Sequence, residues 1–324
     1  MRVTLVGTPS FAIPTFEALY RAQDVDIAQV ITKTEKRAGR GLKPTQPEVF
    51  NWAETKGLSV VQLETLRRAP EAGLALLDLT VDAVVVVASA FFIPIWLREP
   101  PPDGHAKFGA VNLHPSLLPK LRGPAPINRA IIENCDPTGV TTLKLVEEMD
   151  AGDILLQQEV RLHARETAGS LAERLAEVGA ELMLATLRGL GAGTVQPKAQ
   201  DHARATYAPK ITAETRVIDW YCPAERTDRL VRGLYPDAPA RASLRGDVVQ
   251  ILAVEPAEGE EDAAPGTVIA LDEGGVVVAC GEGAFKLTRV KPAGRGEMTA
   301  HAFALGRRLA VGDRFDEGKR RDDS

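Results

Sequence analysis

The chain has 324 residues, 44% of them apolar and 26% charged, and carries a net charge of −5. That is long for one core and ordinary for a water-soluble chain, so two domains are expected. A surplus of acid excludes a uniformly basic nucleic-acid-binding surface and confines any RNA contact to local patches.

No apolar run approaches the roughly 20 residues of a membrane helix. The first residues enter an apolar strand without a basic region and cleavage site, so a cytoplasmic protein with no membrane partner is expected. Cys135, Cys222 and Cys280 lack the paired spacings of zinc or redox sites and are expected to be reduced thiols.

Met1 to Val6 is predicted as a first strand, Gly7-Thr8-Pro9-Ser10 as a turn, and Pro14 as the first position of a helix reaching about Ala22. Strands over Val25 to Thr32 and Leu58 to Gln62 follow, separated by a helix from Pro47 to Lys56. The run Ala83-Val84-Val85-Val86-Val87-Ala88 is continuously apolar, as in a strand buried on both faces of a parallel sheet. Strands over Gly109 to Leu113 and Gly139 to Glu147 flank a helix near Pro124 to Glu133. Ser170 and Glu173 have capping-box spacing, and Leu171, Leu175, Val178 and Leu182 continue at helical intervals until Gly189 to Gly193 break the pattern.

Alternating strands and helices define an α/β, doubly wound, Rossmann-like and mostly parallel sheet. Beyond a stretch without periodicity come a helix near Ala224 to Leu234 and β-prone runs near 248–254, 266–271, 275–280 and 284–290. This pattern predicts a smaller, OB-like C-terminal β-barrel. The expected division is a catalytic domain over 1–192, a linker over 193–210 and a barrel domain over 211–324.

The chemistry concentrates in Asn112-Leu113-His114-Pro115-Ser116-Leu117-Leu118-Pro119. Period-two geometry puts Asn112 and His114 on one face of a strand, at the carboxyl end where open α/β sheets place ligands. An amide and an imidazole side by side suit hydrogen-bond donation to a carbonyl that gains negative charge, and proton acceptance. Read alone, such a histidine is equally a satisfied structural group. Asp150, in Met149-Asp150-Ala151-Gly152-Asp153, either orients His114 or is a turn residue. A nicotinamide dehydrogenase is the rival for such a fold, but Gly7-Thr8-Pro9-Ser10-Phe11 lacks the GxGxxG spacing that cradles pyrophosphate.

The stretches NLHPSLLPKLRGPAPINRAI and GVTTLKLVEEMDAGDIL resemble the folate-dependent formyltransferases. The resemblance implies a catalytic triad of Asn112, His114 and Asp150: Asn112 holds the formyl oxygen, His114 stabilises it and moves protons, and Asp150 holds His114 and a water. It implies 10-formyltetrahydrofolate as formyl donor without a metal. Ser116, Leu117, Leu118 and Pro119 would shape the folate-side loop, and Ala88 and Ser89 would lie near the pterin.

The acceptor is read outside the triad. In TKTEKRAGRGLKPTQP, the cations Lys33, Lys36, Arg37, Arg40 and Lys43 face a single acid, Glu35, and the loop resembles the tRNA-contacting insertion of the methionyl-tRNA enzymes. Its glycines Gly39 and Gly41 permit close backbone approach while the cations neutralise phosphates. Lys286, Arg289, Lys291 and Arg295 form a second basic stretch without an intervening acid. Initiator methionyl-tRNA and folate are thus the implied partners of a chain expected to act as a monomer. The amino sugars of nucleotides are the alternative acceptor class. An inert folate- or RNA-binding module is the reading that dispenses with the triad.

Two departures from the family pattern stand out. Ser89-Ala90-Phe91-Phe92 replaces a Tyr-Gly pair after the buried strand, and Leu234-Tyr235-Pro236-Asp237-Ala238-Pro239 replaces Asn-Pro-Trp-Pro after the barrel's first helix.

Overall fold

A computed structural model describes residues 1–38, 43–66, 80–259 and 262–316. The chain divides into two units: one holds 1–126, 137–161 and 172–208, and the other holds 127–136, 162–171 and the residues from 209 onward.

The first unit is built on a seven-stranded sheet. Its strands are β1 (Arg2–Gly7), β2 (Asp26–Lys33), β5 (Val60–Leu63), β6 (Ala83–Val87), β7 (Ala110–His114), β8 (Thr138–Lys144) and β9 (Ile154–Val160). A separate hairpin pairs β3 (Lys36–Ala38) with β4 (Lys43–Thr45). The strand order is β5-β2-β1-β6-β7-β8-β9. The first five are mutually parallel, and β8 runs antiparallel to both its neighbours.

The chain leaves β1 toward β2 on one side and returns to β6 on the other, which opens a crevice at the carboxyl ends of β1 and β6. Valine-rich β6 is buried along its whole length. Val84 and Val86 pack with Val6, Ile31, Leu97 and Phe91 on one face.

Helices α1 (Ile13–Arg21), α2 (Glu48–Thr55), α3 (Ile95–Arg98) and most of α5 (Ala168–Ala192) belong to this unit. Gly179 of α5 lies so close to β7 that a Cβ there would sit 2.5 Å from the Leu113 side chain. Leu113 therefore faces α5. By strand alternation, Asn112 and His114 face the opposite side.

Helix α5 starts three residues before the expected box. Thr167 Oγ1 accepts from the Ser170 amide at 3.2 Å, and Ser170 Oγ accepts from the Thr167 amide at 3.0 Å. Thr167, not Ser170, is therefore the N-cap, and Glu173 is exposed.

The second unit carries α4 (Pro126–Ile132, from residue 127), α6 (Ala224–Leu234), α7 (Ala300–Arg307) and an antiparallel sheet in the order β10-β11-β14-β13-β12, with β15 paired to β14. The strands are β10 (Ala240–Leu244), β11 (Asp247–Ala257), β12 (Val268–Asp272), β13 (Gly275–Ala279), β14 (Ala284–Pro292) and β15 (Met298–Thr299). Register shifts at Ala253 bend β11 where it pairs with β14, as a small barrel requires. Its core centres on Trp220, whose ring lies 5.7 Å from Phe285 and 5.0 Å from Phe315 between centroids. Among the described residues, no helix is long and apolar enough to cross a membrane.

Candidate active site

β7 ends the parallel part of the sheet, so its last residues open into the loop 115–125 rather than into another buried layer. Asn112 is half-buried, and among the described residues no hydrogen bond engages its side-chain amide. A polar group held at a strand's functional end without a protein partner is free to serve a ligand.

His114 is only 4% exposed. Its Nε2 lies 2.9 Å from the Leu121 carbonyl oxygen. A carbonyl only accepts, so Nε2 carries the proton and Nδ1 presents the lone pair of the neutral ring. Asp150 Oδ1 stands 3.6 Å from that Nδ1. The other carboxylate oxygen, Oδ2, accepts from the Gly123 amide at 2.8 Å. Two backbone positions without a glycine, Leu121 at φ 58° and Asp150 at φ 52°, adopt the left-handed conformation to deliver these contacts.

The loop after His114 is tied to the sheet by Thr141, which stands opposite His114 on β8. Thr141 Oγ1 donates to the Ser116 carbonyl at 2.7 Å and accepts from the Leu118 amide at 3.2 Å and from Gln157 Nε2 at 2.9 Å. Ser116 is buried, and its hydroxyl donates to the Lys120 carbonyl at 2.6 Å. Leu118 is buried, and Leu117 lies over Gly139, where a Cβ would come within 2.6 Å of it. Pro119 is half-buried after a cis peptide bond. At the end of β6, Ala88 takes φ 46° and Ser89 Oγ accepts from the Phe91 amide at 3.1 Å, which buries Phe91 and leaves Phe92 exposed.

The cations expected to meet phosphate divide into separate groups. Arg37 and Lys43 fall on the β3–β4 hairpin, and Arg40 lies outside the described residues. Lys33 is engaged internally: its ammonium donates to the Glu64 carbonyl at 2.6 Å and sits 4.1 Å from the centre of the Phe91 ring. On the barrel, Lys286 pairs with Asp272 at 2.8 Å, Arg289 pairs with Glu297, and Lys291 is exposed. The acids that answer this basic stretch come from β12 and from the turn before β15.

Sequence reading missed Leu121, Gly123, Thr141 and the buried pair Arg122 and Gln200. The available signal for the pair was weak: an arginine beside a turn glycine, Gly123, and a glutamine in a segment with no periodicity.

At the carboxyl edge of the sheet, the Asn112 amide stands on the same face of β7 as an imidazole paired with a carboxylate, a set that can donate to a carbonyl oxygen and accept a proton. The chain belongs to the formyl transferase family, matching it over residues 1–187 and matching its C-terminal domain over residues 210–308. It is similar along its length to methionyl-tRNA formyltransferases. One, from Halorhodospira halophila, is 40% identical over 96% of this chain and 98% of that protein, and one from Bacillus mycoides is 37% identical over 98% and 99%.

Among solved structures, the sugar 3N-formyl transferase WlaRD, crystallised with dTDP and 5-N-formyl-THF, superposes with a TM-score of 0.64 at 13% identity, over 91% of this chain and 99% of that one. HypX from Aquifex aeolicus in complex with tetrahydrofolic acid gives 0.61 at 18% identity, over 100% of this chain and 50% of that one. At those identities the likeness is one of fold.

Proposed function

We propose that this chain transfers the formyl group of 10-formyltetrahydrofolate to the amino group of methionyl initiator tRNA. The observation that carries the reading is the unpartnered Asn112 amide beside the His114–Asp150 pair, on one face of β7. The amino nitrogen attacks the formyl carbon, a C–N bond forms, and the carbonyl oxygen becomes an oxyanion to which the Asn112 amide donates. The attacking nitrogen loses a proton to His114 Nδ1, the ring nitrogen left free by the Leu121 contact. The ring, now charged, is held between the Leu121 carbonyl and the Asp150 carboxylate. The oxyanion then collapses, the bond to N10 of the folate breaks, and N10 takes up the proton held by His114, which returns the ring to its neutral state. No step forms a bond between protein and formyl group.

The loop over Ser116 to Pro119, with Ala88 and Ser89, is the folate side in this reading, supported by its place at the ends of β6 and β7. Residues 1–192 act as the catalytic domain and 211–324 as the tRNA-binding domain, and the 193–210 segment joins them, its residues up to 208 belonging to the first unit. Full-length likeness to methionyl-tRNA enzymes supports this acceptor over an amino-sugar nucleotide. The decisive assay offers purified protein the formyl donor with charged initiator tRNA, free methionine, or a nucleotide-linked amino sugar. Formylation of the tRNA alone is the expected result, and preference for the amino sugar would overturn the assignment.

A further inference from the structure

We propose that Gln200 is a positioning residue for Asp150, so that the segment 198–208, far from the triad in sequence, is part of the catalytic site. The inference rests on the proposed role of Asp150 toward His114.

Gln200 is 6% exposed, and its amide nitrogen donates to two carbonyls of the Asp150 turn, those of Asp150 and Gly152, at 2.7 Å each. An amide NH2 has two donors, so both bonds are made at once. Together they fix the peptide planes that follow Asp150 and Gly152, and thereby the left-handed backbone of Asp150. Gly152 itself is packed against β8, since a Cβ there would strike the Lys144 carbonyl.

The orientation of the Gln200 amide is itself imposed. Its Oε1 accepts from Arg122 Nη2 at 2.7 Å and Nε at 3.2 Å, and a guanidinium only donates, so the amide nitrogen must face the turn. Arg122 is 1% exposed and its charge is answered by Glu148 Oε1 at 3.5 Å, while Nη2 also reaches His202 Nδ1 at 3.1 Å.

The same segment also holds the other half of the site. Thr206 Oγ1 accepts from the Leu121 amide at 2.9 Å, and the Thr206 carbonyl accepts from the Arg122 amide at 2.9 Å. Leu121 supplies the carbonyl that sets His114, and Arg122 leads into Gly123, whose amide holds Asp150. At its start the segment is pinned by paired bonds between Lys198 and Ile154, each 2.8 Å. Both ring and carboxylate are thus located by one strap.

Without the latch, Asp150 relaxes from a strained conformation and its carboxylate leaves His114. Gln200→Ala should lower kcat for methionyl-tRNA formylation by about 10- to 100-fold, the scale of a misplaced catalytic group, with KM for tRNA and for 10-formyltetrahydrofolate changed less than about twofold. In an Asp150→Asn background the same change should cost less than about twofold, because a residue that acts through Asp150 has nothing left to position. Gln200→Glu keeps a partner for Arg122 but turns oxygen toward both carbonyls, so it should be at least as impaired, and it decides the matter if the alanine variant does not fold. Losses that multiply in the double variant, or wild-type kcat in Gln200→Glu while Asp150→Asn is impaired, would overturn the latch alone. Wild-type kcat in Asp150→Asn would remove the parent reading instead.

Discussion

Replacing Asn112 by alanine separates chemistry from folding more cleanly than any other change in the site. The side chain is half-buried on β7 and, among the described residues, its amide has no hydrogen-bond partner to strand. Its loss therefore costs only a little packing on a strand already fixed by Val86 and Leu143 on either side, and unfolding free energy should fall by less than about 1 kcal/mol. In the proposed reaction the same amide donates to the oxygen that gains charge. Losing one such donor costs about 2.7 to 4 kcal/mol of transition-state stabilisation, or roughly 10²- to 10³-fold in kcat. Single-turnover formylation of methionyl-tRNA reads the chemical step, and urea unfolding reads stability. Asn112→Asp should be no better than alanine, since a carboxylate repels an oxyanion. A kcat within about threefold of wild type in Asn112→Ala, with a normal unfolding curve, would refute the assignment of this amide to the formyl oxygen.

Activity should survive exhaustive chelation when the formylfolate donor and charged tRNA are supplied, because no step of the proposed reaction draws on a metal; dependence on added zinc, followed by atomic absorption, contradicts this. Arg40→Ala should slow tRNA formylation and flatten the salt dependence of tRNA binding, since fewer counterions are released. Unchanged kinetics at several salt concentrations would mark the loop as ordinary surface. The Glu17 carboxylate is held down to about 2 from its ordinary 4.5, first by the Trp52 indole, against burial, and then by Lys56 and Arg21. Its stabilisation is complete above about pH 4.5 and is lost as pH falls toward about 2. Glu17→Gln should therefore flatten the dependence of unfolding free energy on pH across that window, and an unchanged slope in denaturant titrations counts against the contact.

Much of the architecture was legible because the signals were local. The valine run of β6 needed no partner to declare itself buried on both faces, and Pro14 and Gly193 punctuate helices as their backbone restrictions demand. The start of α5 was misplaced because packing, not the Ser170–Glu173 spacing, decides it: Thr167 and Ser170 exchange the capping bonds, with Ala168 and Leu171 both buried at the helix start. Strand β10 passed unnoticed because Ala240 and Ala242 are weak strand formers by type. They are buried there because their inward positions meet the barrel core beside Leu244, with Arg241 and Ser243 turned outward.

In the candidate site, the proposed reacting groups could be named from the sequence and their supports could not, and the reason is distance along the chain. Asn112 and His114 are two residues apart on a strand, so alternation alone placed them together. The contacts that give His114 its tautomer and Asp150 its aim run through Leu121, Gly123 and Gln200. Leu121 and Asp150 occupy a backbone region that sequence assigns to glycine or asparagine, so neither position announced its geometry. Gln200 lies in a stretch with no periodicity because it forms no strand or helix of its own. Its hydrogen bonds are spent on a turn 50 residues earlier in the chain. A segment that reads as free chain can therefore be among the most constrained in the unit, since buried arginine, glutamine and backbone carbonyls must all be satisfied by one another and leave almost no alternative arrangement.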